Sequence, residues 1–361
     1  MNSVKQFINQ AGKWLSRLPW KRIGLISLCS FLALTLLVMI FVTAFAQRML
    51  NQIERPIEDN DDTLPSNLLA SIFPTYTLPS GFTGVTIPPE QVTIPDTPEL
   101  IVQHEALVNI MLVGQDRREG ETYRTRSDAM ILCTFNKQDK TLTMTSFMRD
   151  LYVQIPGWGY NKLNAAYTLG GMSLLGDTIL QNFGVKIDAF IEVDFSGFQK
   201  AVETLGGVDI KLSAEEAAYM NENYSDKRVE DNWPLKAGVN HLSGPQALYY
   251  SRIRYIGMDF ERTERQRKVM TALLNSVKNI GVNDALALMN TLLPMIRTDM
   301  SNQDITSYLL SLLPVVASGN MQNQRIPADG TYQLTYVGAM DVVLPDYSAN
   351  RQYLLDTLMP R

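Results

Sequence analysis

The apolar positions of the chain fall into three regimes. From Ile23 to Ala46 the run IGLISLCSFLALTLLVMIFVTAFA is almost unbroken, and at about 1.5 Å per residue it is long enough to cross a bilayer as one helix. From Gln47 to about Leu100 this pattern dissolves, and Pro, Thr, Asn and Asp dominate from Glu58 onward. Such a stretch buries too little surface to offset its ordering entropy, so a semi-extended stalk is expected, with a short helix at most around Leu68 to Phe73. From 101 to 361 apolar segments alternate with polar turns, as in one α/β domain.

Within that domain Leu107 to Val113 reads as a continuous apolar strand, followed by Asp128 to Phe135 and Thr141 to Phe147. A loop rich in Gly and aromatics, IPGWGYNKLNAAY, leads to a helix expected over Gly171 to Asn182. Ala189 to Val193 and Val208 to Leu212 read as strands, separated by a helix from Phe195 to Leu205 that Gly206-Gly207 stops. Leu242 to Leu248 predicts a short helix, Val269 to Lys278 a long covering one, and Asn283 to Ile296 and Gln303 to Val316 two more. Tyr332 to Val343 is strand-like, and Asp341 to Asp346 reads as a closing strand and turn of the same domain.

The stretch from Tyr249 to Met270, YYSRIRYIGMDFERTERQRKVM, concentrates the chemistry. Up to Tyr255 it alternates like a strand, with Tyr250, Arg252 and Arg254 on one face. After a turn at Gly257, helical spacing places Arg262, Gln266, Val269 or Met270, and Leu273 along one side. Guanidinium groups in this density suit the oxygens of a polyanionic phosphate group. The same charges also fit a solvated helical face laced with ion pairs between Glu261, Glu264, Arg262, Arg265 and Arg267.

Composition narrows the field. The 361 residues are 45% hydrophobic, enough for a large core. Lys5, Lys13, Arg17, Lys21 and Arg22 precede the apolar run with no acid among them, so the N-terminus is expected in the cytoplasm and everything after Gln47 outside. A cleaved signal peptide shares these features, and Ala44-Phe45-Ala46 resembles a cleavage site, but the run exceeds an h-region of about 7–15 residues and an anchor is expected. Those five aside, 27 basic residues face 37 acidic ones, which argues against a general nucleic-acid surface. Cys29 and Cys133 are the two cysteines and make no disulfide framework; His104 and His241 have no metal-ligand spacing. Zinc sites and His-dependent triads are therefore not expected.

Asp116 and Asp128 end one strand and begin the next, so a hairpin-like approach can join their carboxylates, the usual way of holding magnesium with phosphate oxygens and water. Two unrelated surface acids are the alternative. With Arg126, Arg149, Arg252 and Arg254 also at strand ends, the set has the composition of a metal-assisted phosphoryl-transfer site.

The chain resembles the LytR-CpsA-Psr family. The matching motifs are Gly114 to Arg117 with Arg126-Ser127-Asp128, SFMRD at 146–150, KLNAAY at 162–167, LGGVD at 205–209, LSGPQALYYSRIR at 242–254 and DFERTERQ at 259–266. They occur in the family's order across roughly Asn109 to Ser276, and the single N-terminal span fits too. The resemblance implies a mixed central sheet sandwiched between helices, and transfer of a glycosyl phosphate from a polyprenyl-pyrophosphate-linked glycan to peptidoglycan or a similar acceptor outside the membrane. It implies Mg2+ at Asp116 and Asp128, pyrophosphate contacts from Arg126, Arg149, Arg252, Arg254, Arg262 and Gln266, and Lys162 near the head group. Asp116, Arg149, Arg252 and Arg254 are the residues expected to carry the chemistry. The chain departs from the family at Met148, where Pro is common, at Ala165, where His is common, and at Glu261, often Gly, which sets a carboxylate near the expected phosphates; these positions bear on acceptor preference.

The expected organisation is a cytoplasmic basic segment at 1–22, a transmembrane helix at 23–46, an extracytoplasmic stalk at 47–100 and a catalytic domain with a C-terminal extension at 101–361. Magnesium and converging guanidinium groups neutralise the charge that makes a pyrophosphate inert to nucleophiles. Asp116 is a candidate to accept the acceptor's proton, in competition with its metal role, so the base is unassigned. Helices after Gly171 and after Val269 are candidates to line an apolar tunnel for lipid, although Leu174, Leu175, Ile179 and Leu180 read more readily as ordinary core. Trp158 and Tyr160 either stack on sugar or brace their loop. A hydrolase of the same lipid and a non-catalytic lipid-binding or regulatory protein remain the rival readings.

Overall fold

The computed structural model describes residues 45–55, 72, 77–80, 82–93, 102–115, 127–224, 233–278 and 282–360. The chain divides into two compact units, Met1–Gln52 and Ile53–Arg361. In the first, residues 45–50 are helical; the basic segment at 1–22 and most of the apolar run at 23–46 lie outside the described residues. Among the described residues no helix is long and apolar enough to cross a membrane.

The second unit opens with β1 (Thr86–Ile87), β2 (Leu107–Gln115), β3 (Ser127–Asn136), β4 (Thr141–Phe147), β5 (Tyr152–Ile155) and β6 (Gly159–Lys162). Then come α1 (Leu163–Phe183), β7 (Ala189–Asp194), α2 (Phe195–Thr204), β8 (Val208–Leu212), α3 (Ala214–Asn223), β9 (Gly238–Leu242), α4 (Gly244–Arg252) and α5 (Met258–Lys278). The chain finishes with α6 (Val282–Leu292), β10 (Ile296–Thr298), α7 (Asn302–Ser318), β11 (Met321–Ile326), β12 (Tyr332–Val337), β13 (Met340–Pro345) and α8 (Tyr347–Leu358).

Six strands form the central sheet in the order β10-β7-β2-β3-β4-β11. β2 runs antiparallel to β3 and parallel to β7, and β11 runs parallel to β4, so the sheet is mixed. Alternate residues of β2 face opposite ways. Met111 and Val113 pack with Leu175, Ile179 and Phe183 of α1 and with Tyr347 and Leu354 of α8. Ile110 packs with Leu312 of α7, and Ile131 and Met144 of the neighbouring strands pack with Val315 of α7 and with Met270 and Leu274 of α5. Helices therefore cover both faces, which is why β2 to β4 read as near-continuous apolar runs.

Three expectations change. The segment Tyr249 to Tyr255 is not a strand: α4 runs from Gly244 through Arg252. Ser243 and Gln246 close a capping box at its start, with Pro245 in the first turn, and Ala247, Tyr250 and Ser251 supply a buried helical face. The helix expected from Gly171 is present, but a further helical segment from Leu163 precedes it, joined across the non-helical Gly170 and Gly171, because Leu163, Ala166 and Tyr167 already bury a face before the kink. The stretch expected as a stalk also contributes to the compact unit. Ile72 is in the core, and β1 pairs in parallel with β12. The region after Asn283 belongs to the domain, since β10 and β11 form the two edges of its central sheet.

Candidate functional site

The first residues of β3, the turn after β4 and the segment joining α4 to α5 converge at one end of the sheet. Asp128, second in β3, is the hub. Its Oδ1 accepts from Arg149 Nη1 at 3.1 Å and from Arg254 Nη2 at 3.3 Å, and lies 3.9 Å from Arg262 Nη1. Gln266 Nε2 donates to the Asp128 carbonyl at 3.5 Å. Two further carboxylates bind the set together. Arg149 Nε stands 3.3 Å from Asp150 and 3.5 Å from Asp259, Lys162 Nζ is 2.8 Å from Asp150, and Arg262 Nη2 is 3.0 Å from Asp259.

Burial sets the electrostatics. Arg262 is 2% exposed, and desolvation pulls its guanidinium down to about 10. Its Nε is buried without a hydrogen-bond partner among the described residues. Burial also raises the Asp259 carboxyl, against the pull of Arg262 and Arg149. For Arg149, burial lowers basicity but is outweighed by Asp259, Asp150 and Asp128, so the net shift is upward. Asp150 is held below its ordinary value because Lys162 and Arg149 overcome burial.

A cavity of about 550 Å³ opens beside this cluster. Its apolar wall includes Leu112, Ile131, Ile191, Phe198, Leu248 and Met270, and its polar wall carries Asp128, Arg252, Arg254, Arg262 and Gln266. Of the side expected on α5, Arg262, Gln266, Val269 and Met270 line the cavity, while Leu273 packs in the core. Arg252 is held with its Cζ 4.3 Å from the Phe195 ring centroid. By contrast, Leu175 and Ile179 of α1 are core, so of the two helices considered for a tunnel only α5 lines this cavity.

Asp116 and Arg126 lie outside the described residues. Gln115 pairs with Ser127 across the β2–β3 ladder, so their immediate neighbours are opposed. Asp128, Arg149, Arg254, Arg262 and Gln266 are together, Arg252 is on the cavity wall, and Lys162 is joined through Asp150. Asp150 and Asp259 were not singled out from sequence, although SFMRD and DFERTERQ contain them. Glu261, expected near the phosphates, instead accepts from Arg265 Nη2 at 3.2 Å. Tyr160 stacks on Tyr152 at 5.9 Å within the β5–β6 hairpin, the bracing arrangement.

The charge run on α5 is not a solvated face. Arg262, Arg265 and Arg267 are all buried. Arg265 Nε binds Glu216 at 2.8 Å, and its Nη1 and Nη2 donate to the carbonyls of Ile253 and Ile256, both at 3.0 Å. Tyr250 also donates to Glu216 at 3.2 Å. These bonds bracket Arg254. The turn that follows uses Gly257 at φ +70°, where a Cβ would come within 1.7 Å of the Glu261 carboxyl carbon.

The lowered carboxylates predict acid sensitivity. Burial raises Glu216, but the Ser213 N–H and Arg265 more than reverse this and leave it below its ordinary value. Asp150 is shifted the same way. Their stabilising contribution is complete above the unfolded carboxylate value of about 4 and is lost as pH falls through the lowered folded values; Asp259 acts with the opposite sign. The thermal midpoint is expected to be lower at about pH 3 than at about pH 6, with a smaller drop in Glu216→Gln.

The LytR_cpsA_psr family model matches residues 88–350. The chain belongs to this family. Polyisoprenyl-teichoic acid--peptidoglycan teichoic acid transferase TagT of Bacillus subtilis (strain 168) is 34% identical over 176 residues, 48% of this chain and 53% of that protein. The similarly named TagU of Enterococcus faecalis is 31% identical over 230 residues, 62% of this chain and 71% of that protein. Regulatory protein MsrR of Staphylococcus aureus (strain COL) is 32% identical over 179 residues, covering 49% and 51%. Against TagT and MsrR, then, the chain spans about half the length of the curated relatives it matches. The crystal structure of B. subtilis TagT superposes with a TM-score of 0.56 at 25% identity, over 70% of this chain and 91% of that one. TagT bound to LI-WTA gives 0.56 at 24% identity, over 76% and 99%. As a member of the LytR_cpsA_psr family the chain shares with these structures a mixed α/β architecture.

Proposed function

We propose that this protein transfers a glycosyl phosphate from a polyprenyl-pyrophosphate-linked glycan to peptidoglycan or another envelope acceptor. The observation that carries this reading is the cavity: walls suited to isoprenoid carbon meet a cluster of guanidinium groups suited to a pyrophosphate. TagT and TagU bear a polyisoprenyl-teichoic acid donor and peptidoglycan in their names, and TagT has been solved with LI-WTA, which supports the same substrate class.

In this reading the acceptor hydroxyl oxygen attacks the phosphorus bearing the glycan, and that phosphorus loses its bond to the bridging oxygen. Polyprenyl phosphate departs with the electron pair, and the hydroxyl proton passes to solvent or to the departing phosphate. Arg149, Arg252, Arg254 and Arg262, with Gln266, orient the pyrophosphate and stabilise the charge that develops on its oxygens. Lys162 acts one step removed, through Asp150.

The residues fit magnesium bound largely by substrate oxygens. Arg149, Arg254 and Arg262 all face Asp128 through Oδ1, and Oδ2 is the oxygen that would ligate the ion. Among the described residues no group of three His, Cys, Asp or Glu could form a cage by itself, and Asp116 is the proposed second acid. When bound, the ion would neutralise phosphate charge during transfer. The apolar run at 23–46 with its basic flank supports a single-pass anchor with the N-terminus cytoplasmic and the domain extracytoplasmic.

The name of MsrR favours a second reading, a regulatory protein, which here would bind the lipid without turning it over. The full chain in detergent, incubated with a synthetic polyprenyl-pyrophosphoryl sugar with and without magnesium and peptidoglycan fragments, separates the two by mass spectrometry. Phosphosugar on the fragment, lost in Arg252→Ala, is expected. Phosphosugar released without attachment would mark a hydrolase, and tight lipid binding with no turnover a regulator.

A further inference from the structure

A second cavity, of about 730 Å³, adjoins the first along α4. Leu248, Arg252 and Arg254 line both, so one short strip of chain is their common wall. The remaining walls differ in kind. Where the first cavity is mainly aliphatic, the second presents Tyr219, Tyr249 and Tyr255 beside Gln199 and Glu203.

The three rings form a stepped aromatic surface. Tyr219 lies 6.5 Å from Tyr249 with 19° between planes, and 6.1 Å from Tyr255 with 30°. Tyr255 is 87% exposed, so its ring contributes little to the core. Its backbone is nonetheless fixed, because buried Ile253 and Ile256 flank it and Arg265 binds both of their carbonyls. An exposed ring on an anchored segment is preorganised for a ligand. Burial and the neighbouring Tyr219 push the Tyr249 phenol up to about 12.

Sugar rings offer apolar C–H faces ringed by hydroxyls, and stepped aromatic faces with adjacent amide, carboxylate and phenol groups match both features. We infer that the groove bearing Tyr219, Tyr249 and Tyr255 binds the acceptor glycan and delivers its hydroxyl to phosphorus held at Arg252 and Arg254. This rests on the transferase reading above. The occupant is the acceptor rather than the donor's own polymer. In-line displacement sets nucleophile and leaving group on opposite sides of the phosphorus, so the attacking hydroxyl needs a site other than the cavity that takes the departing polyprenyl phosphate. This groove is a separate cavity that shares Arg252 and Arg254 with the first.

The test uses the full chain in detergent with a soluble peptidoglycan glycan oligomer as acceptor. Tyr255→Ala and Tyr219→Ala are each expected to raise the acceptor KM by about three- to tenfold with the donor KM unchanged, and Tyr255→Trp to restore it. Calorimetric binding of the oligomer without donor should weaken in parallel. A rise in donor KM alone, or oligomer binding that Tyr255→Ala leaves intact, overturns the assignment. If the wild type turns over no donor, the transferase reading fails by itself, and the calorimetry still decides whether the groove binds glycan.

Discussion

Arg149→Ala is expected to lower turnover of a polyprenyl-pyrophosphoryl glycan by about a hundred- to a thousandfold, the usual consequence of removing one preorganised charge donor from a transition state. Arg149 is the residue to remove because it touches three carboxylates, Asp128, Asp150 and Asp259. Its loss subtracts a cation and leaves those acids facing the same phosphate oxygens with less to balance them. Arg149→Lys keeps the charge but not the planar fork, and cannot meet Asp128 through one nitrogen while another lies beside Asp150 and Asp259. It is expected to recover only a small part of the lost rate. Steady-state donor consumption measures the effect, and circular dichroism at the assay temperature shows whether the variant is folded. A folded Arg149→Ala protein with wild-type turnover would remove the cluster from the chemistry.

The strands were legible where burial leaves a simple pattern. Thr141–Phe147, buried on both faces, and Val208–Leu212, which alternates buried and exposed positions, both match their expected bounds, because short segments of either kind between turn residues have few other solutions. β11, MQNQRI, has no such run, since it is a sheet edge held to β4 by backbone bonds. At α4 the alternation of Tyr250, Arg252 and Arg254 imitated a strand, while the capping box at Ser243 and Gln246 carried the correct signal. α3 has the same device, with Ser213 and Glu216. The arginine cluster was legible as a set of charges near element ends. Its wiring was not, because Asp128 meets Arg254 and Arg265 meets Glu216 only after distant segments pack. A buried guanidinium and a solvated one look alike until the partner carboxylate is placed.

Glu216→Ala is expected to destabilise the domain by about 3–5 kcal/mol, because it removes the buried carboxylate at Arg265 Nε, leaves that guanidinium only the half-exposed Glu261 as an acid partner and strips the buried Tyr250 hydroxyl of its acceptor. For a unit of this size that corresponds to a fall of about 5–8 °C in thermal midpoint. The cost is large for a single contact because Arg265 is 1% exposed and has no path to water. Arg265→Met alone strands Glu216 in the same way and also frees the carbonyls of Ile253 and Ile256. The double variant Glu216→Leu with Arg265→Met removes both charges, so most of the stability is expected to return. Activity is not expected to return with it. The two carbonyl bonds that bracket Arg254 come from Arg265, and without them the segment carrying Arg252 and Arg254 is no longer fixed relative to Asp128. A double variant with wild-type melting and reduced turnover would therefore separate the two duties of Arg265, neutralising Glu216 and holding the arginine segment in place. Full recovery of both properties would show that burial of Ile253 and Ile256 is sufficient to position it.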